Sequence, residues 1–138
     1  MNYPQLCIDL DRAAGEARAA FAAAGARITL AQFNLLALID ANQAASQRTL
    51  CRLGAGDRST VSTMLFSMQK RGLVWVSPDE KDRRATLVRL TQPGRTLLKR
   101  LRPVLEKASE TVIEKVEGRS RASLRTALCA INGDSTIG

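Results

Sequence analysis

Between Asp57 and Leu90 the apolar residues change from a helical to a strand spacing, and this switch restricts the fold more than any other feature of the chain. Val61, Met64, Leu65 and Met68 recur at i, i+3, i+4 and i+7, which places one apolar stripe on a helix. Asp57 or Arg58 opens that helix, it runs to Arg71, and Gly72 stops it. Residues 73–76 are then apolar and rich in β-branched side chains. Residues 77–84 are polar, charged and contain Pro78. Residues 85–90 are strand-like again, with Leu87, Val88 and Leu90. A β-hairpin with a long basic tip is the predicted form.

Three helices are expected before this unit. The first covers residues 3–24 and stops at Gly25. Thr29 reads as the N-cap of the second, residues 30–41, with Phe33, Leu36 and Ala37 on its apolar face. Ser46 caps a short third helix over residues 47–53, and Gly54-Ala55-Gly56 makes a tight turn into the fourth. After the hairpin, Thr91 caps a long helix over residues 92–117, with Pro93 harmless in its first turn. Pro103 lies inside that helix and is expected to kink or break it. Gly118 ends it, and a last helix over residues 119–131 precedes a tail. The fold class is therefore mainly α (α+β): a winged helix-turn-helix flanked by helices at both ends. The expected organisation is an N-terminal helix (1–28), a winged helix-turn-helix lobe (29–91) and C-terminal helices (92–138).

The chain has 138 residues and a formal net charge of +8, and the charge is unevenly placed. Residues 57–102 hold eleven basic and four acidic side chains, net +7, whereas residues 1–56 carry net +1 and residues 103–138 net 0. A basic region confined to one third of a chain is the electrostatic footprint of a phosphate binder. The cysteines, Cys7, Cys51 and Cys129, are odd in number and widely separated, so neither a zinc site nor a disulfide framework is implied. Cys51 and Cys129 fall on expected apolar helix faces. No metal and no cofactor are expected. The N-terminus does not read as a signal peptide, no apolar run is long enough to span a bilayer, and a reducing cytoplasm is the expected compartment.

On the fourth helix, the face opposite the apolar stripe carries Ser59, Ser62, Thr63, Phe66, Ser67 and Lys70. Small hydroxyl residues near a helix N-terminus allow close approach to bases and phosphates, and the free N–H groups there favour anions. In helix-turn-helix proteins this end of the second helix enters the major groove. The hairpin tip, Ser77-Pro78-Asp79-Glu80-Lys81-Asp82-Arg83-Arg84, presents guanidinium groups suited to a narrow minor groove. Asp82 is placed to orient one of those arginines by a charge-assisted hydrogen bond. Phe66 has two readings, contact with a thymine methyl group or packing against a neighbouring helix.

The segments Asp57-Arg58-Ser59-Thr60-Val61, Lys70-Arg71-Gly72-Leu73-Val74, Asp82-Arg83-Arg84 and Leu90-Thr91 followed by Gly94 together resemble the multiple antibiotic resistance regulator (MarR) family, as does Leu30-Ala31-Gln32-Phe33 at the second helix. The resemblance spans residues 28–101. It implies a homodimer whose terminal helices intertwine and whose two winged lobes read a pseudo-palindromic operator in double-stranded DNA. On that basis the DNA-binding set is Arg58, Ser59, Thr60, Ser62, Thr63, Ser67, Lys70, Arg83 and Arg84, with Asp82 as the wing brace. This chain departs from the family pattern by lacking basic residues at Thr63 and Ser67 and an acidic one at Phe66. The resemblance also implies control by a small anionic or phenolic effector, with repression as the expected output. Cys7, near the N-terminus, is the candidate for a redox sensor of the kind some members use, although the single Tyr and absent His leave few groups to activate a thiol.

Other classes fit less well. Without His, a serine–histidine or cysteine–histidine nucleophile cannot be built, and no close carboxylate pair stands out, so no enzyme is expected. A winged helix used only for protein–protein contact is opposed by Arg83-Arg84 and the +7 segment. A membrane-surface role is opposed because the basic residues do not line one amphipathic helix.

Overall fold

In a computed structural model, residues 3–113 are described. In chain order the elements are α1 (Tyr3–Ala23), α2 (Leu30–Asn42), β1 (Ala45–Ser46), α3 (Gln47–Arg52), α4 (Arg58–Lys70), β2 (Val74–Pro78), β3 (Thr86–Leu90) and α5 (Gln92–Ile113). The backbone clusters into two compact units. One contains α1 and the end of α5 from Val104 onward; the other is Gly25–Pro103.

The Gly25–Pro103 unit is a helix-turn-helix followed by a wing. A full capping box opens α2: the Thr29 side chain accepts from the Gln32 N–H at 3.1 Å, and the Gln32 side chain accepts from the Thr29 N–H at 3.0 Å. Burial on α2 is wider than the single face expected, with Leu35 and Ile39 enclosed as well as Phe33 and Leu36. Around it the core takes in Leu50 of α3, the stripe Val61, Met64, Leu65 and Met68 of α4, Val74 and Val88 of the hairpin, and Leu98 of α5. Nearly all are aliphatic, in keeping with an aromatic content of 4%.

The sheet has three strands in the order β1-β3-β2, all antiparallel. The sequence pattern does not reveal β1. It is two residues long, pairing Ala45 with Val88 and Ser46 with Leu87, too short to show a period. Ser46 serves twice, as the last strand residue and as the N-cap whose hydroxyl accepts from Thr49 N–H at 3.1 Å. The hairpin strands are shifted relative to the expected bounds. Leu73 is excluded from β2 because it completes the stop of α4: Gly72 adopts φ +70°, and the Leu73 N–H donates to the Met68 carbonyl at 2.9 Å. Pro78 is accommodated at the end of β2, an edge strand.

The expected break at Pro103 does not occur, since α5 continues through it to Ile113. Proline removes one hydrogen bond and leaves the Lys99 carbonyl without its helical donor. Pro103 and Lys99 are both exposed, so water can satisfy that carbonyl. The division between the two compact units falls immediately after Pro103. The continuation expected to residue 117, the helix over 119–131, the tail and Cys129 lie outside the described residues. Among the described residues no helix is long and apolar enough to cross a membrane.

Candidate nucleic-acid interface

The fourth helix begins where the sequence places it. Asp57 is the N-cap, its carboxylate accepting from the Thr60 N–H at 2.7 Å. That hydrogen bond, with a further one from the Thr60 side chain, holds the Asp57 carboxyl below its ordinary pKa. The preceding helix is tied to this start by Gln47, whose Nε2 donates to the Arg58 carbonyl at 3.1 Å. The turn between them uses Gly54 at φ +94° and Gly56 at φ +140°, which only glycine adopts readily.

With the apolar stripe of α4 turned inward, the expected contact residues fall on its outer side. Arg58, Ser59, Thr60, Ser62, Thr63 and Lys70 are exposed, and Ser67 is half-buried. Thr63 donates its hydroxyl to the Ser59 carbonyl at 3.0 Å, so its oxygen faces outward chiefly as an acceptor. Phe66 is 61% exposed, and the Lys70 ammonium lies 4.5 Å from its ring centroid. Among the described residues, no other helix encloses Phe66.

The wing tip is a compact set of turns. The Asp79 N–H donates to the Ala85 carbonyl and the Ala85 N–H to the Asp82 carbonyl, both at 3.0 Å. Asp79 accepts from the Lys81 N–H at 2.9 Å and Asp82 from the Arg84 N–H at 3.0 Å. Asp82 thus braces the tip, but through the main chain of Arg84 and not through a guanidinium as expected. A short carboxylate two residues before an N–H closes such a turn locally, and this geometry competes well with reaching a long, mobile arginine head. Lys81, Arg83 and Arg84 are exposed, and none of them is in an ion pair with another described residue. Within the Gly25–Pro103 unit an ion pair joins Arg102 to Asp40 at 3.2 Å.

Two features of the site were not anticipated. At the root of the wing, the Thr91 N–H donates to the Leu73 carbonyl at 3.1 Å and its hydroxyl to the Gly72 carbonyl at 2.5 Å. Gly94 sits so close that a Cβ there would meet the Leu73 carbonyl oxygen at 2.1 Å. The sequence signal was Gly94 three residues after the capping Thr91, a position where helix propensity alone disfavours glycine. The second feature is Trp75, 70% exposed on β2 opposite Arg89; strict alternation along the strand would have turned it outward. Of the cysteines, Cys7 is exposed on α1, and Cys51 on α3 is half-buried and so less enclosed than a core residue. No group of three or more metal-ligating side chains occurs among the described residues.

A capped helix with a polar outer face, held by a helix-turn-helix and followed by an arginine-tipped hairpin, defines the winged helix-turn-helix class. Residues 28–86 match the sequence profile of the MarR family. Among characterised relatives, the chain is similar to the HTH-type transcriptional repressor NicR of Pseudomonas putida, 30% identical over 98 residues, 71% of this chain and 62% of the relative's length. Among solved structures it resembles Bordetella bronchiseptica BpsR, from work on the regulation of its DNA binding by 6-hydroxynicotinic acid. The TM-score is 0.80 at 28% identity, covering 88% of this chain and 89% of that one. The fold is also that of an E. coli MarR mutant in complex with operator DNA, with a TM-score of 0.81 at 19% identity over 93% of this chain and 91% of that one.

Proposed function

We propose that this protein is a sequence-specific transcriptional repressor that binds double-stranded DNA as a homodimer and is released by a small aromatic acid. The carrying observation is the pairing of an exposed, hydroxyl-lined start of α4 with a wing whose Arg83 and Arg84 have no acidic partner among the described residues. Anionic groups outside the chain are the natural partners of such guanidiniums. In this reading Ser59, Thr60, Ser62 and Thr63 approach base edges, and Arg58, Ser67 and Lys70 approach phosphates. Arg83 and Arg84 enter the minor groove, and Asp82 holds the tip. Repression and an effector of the 6-hydroxynicotinic acid type are favoured by the similarity to NicR and BpsR. The reading is non-enzymatic and places the protein in the cytoplasm with its DNA.

The deciding experiment selects bound sequences from a random duplex pool and then measures affinity against salt. The expected result is a pseudo-palindromic site with half-site centres about one helical turn apart, and a log–log salt slope of about −0.9 per phosphate neutralised. Absence of any selected sequence, or binding indifferent to salt, overturns the proposal. Adding 6-hydroxynicotinate to the complex tests the effector class. Release by peroxide in the parent but not in Cys7→Ser would move control to oxidation instead.

A further inference from the structure

The recognition face of α4 holds one residue that the contact set above does not use. Phe66 follows Ser59 by seven residues and Thr63 by three, so the three share one side of the helix. At 1.5 Å per residue, Phe66 lies about 10 Å along the axis from Ser59, a distance of up to about three base-pair steps. The apolar stripe that anchors α4 is on the opposite side and is buried without it. Phe66 therefore keeps an aromatic ring in water in the free chain, with 61% exposure, where burial would be favourable.

Lys70 defines which part of that ring is available. Long helical side chains lean toward the helix N-terminus, and the Lys70 ammonium sits 4.5 Å from the centroid, within cation–π range. One face of the ring is covered by the cation, and the other face and the edge stay open. Phenylalanine has no hydrogen-bonding group, so it cannot read base donors or acceptors. The one apolar group that base pairs present in the major groove is the thymine 5-methyl. Its neighbours on the face are small hydroxyl residues, which accept or donate to any base and discriminate little by themselves.

Resting on the DNA-binding reading above, we propose that Phe66 reads a thymine 5-methyl group in each half-site, with Lys70 holding the ring in place. The test starts from the site selected by the parent protein. Each thymine is replaced by deoxyuridine, which removes the methyl and leaves every hydrogen-bonding group of the base unchanged. One position per half-site is expected to weaken parent binding by about fourfold, the value of one buried methyl. Phe66→Ala is expected to bind the thymine and deoxyuridine sites equally, with its melting temperature unchanged because the side chain is exposed. If no thymine shows methyl dependence in the parent, or the same dependence persists in Phe66→Ala, the assignment is overturned. A parent that selects no site at all overturns the DNA-binding reading itself, and this one with it.

Discussion

The two ends of the β2–β3 hairpin are held by different means. At the root, Thr91 donates to two successive carbonyls, those of Gly72 and Leu73, and the start of α5 is pressed against the same backbone at Gly94, which is buried. At the tip, short carboxylates bond main-chain N–H groups two residues away, and residues 80–84 are all exposed. The root is fixed by close packing, in which a change of one methyl group is felt. The tip is fixed by local turn chemistry on exposed residues. Orientation of the wing is therefore decided at the root, while the exposed tip is left free for the contacts proposed for it. A substitution at the root should change stability, whereas one at the tip should change binding alone.

Gly94→Ala is the strongest challenge to this division. The added Cβ would lie 2.1 Å from a backbone oxygen, so either the start of α5 or the Gly72–Leu73 turn has to move. A loss of about 2–3 kcal/mol is expected, the upper range for overpacking a close contact, seen as a fall of roughly 10 °C in the melting temperature. An unchanged melting temperature would show that the root is not tightly packed. Arg84→Ala probes the other end. Operator affinity is expected to fall ten- to hundredfold, as for loss of a groove-inserted arginine, while melting temperature and dimer mass stay as in the parent. Undiminished binding would remove the wing from the interface. A matching loss of stability would erase the distinction between tip and root.

The same contrast governs how much the sequence discloses. Elements with a strong period were legible: the stripe of α4, its Asp57 cap and Gly72 stop, the Thr29 N-cap, and the hairpin all lie within a residue or two of their expected bounds. Contacts between segments distant in sequence were not. Nothing local marks Ala45–Ser46 as a strand, because its partner, residues 87–88, is some forty residues away. Gly94 reads locally as a poor helix residue until the Leu73 carbonyl is placed against it. Pro103 left a kink or a break open, and the break does not occur, because at an exposed turn water can replace the lost donor. The exposed faces of α4 and the wing were legible as composition, yet the direction of the Asp82 hydrogen bond was not. Spacing alone allows Asp82 to bond either the main chain or the side chain of Arg84, and only coordinates distinguish them.

The smallest expected effect lies on the stabilising side of the same division, at the opposite end of the helix that Gly72 stops. Asp57 caps α4 through the Thr60 N–H, and this bond lowers its carboxyl pKa below the ordinary 3.8. A carboxyl whose pKa is lower folded than unfolded adds stability that is complete above the unfolded value and disappears as pH falls through the folded one. Asp57→Asn keeps an acceptor oxygen but has no charge to lose. The parent should therefore melt slightly above Asp57→Asn at pH 6, and the gap should close between about pH 4 and the lower folded pKa. Because all other carboxyls are common to both proteins, the difference between the two melting curves isolates Asp57. A gap that stays constant across that window would mean the carboxylate charge adds nothing to the cap. The start of α4 would then be held, like the wing root, by hydrogen-bond geometry and packing alone.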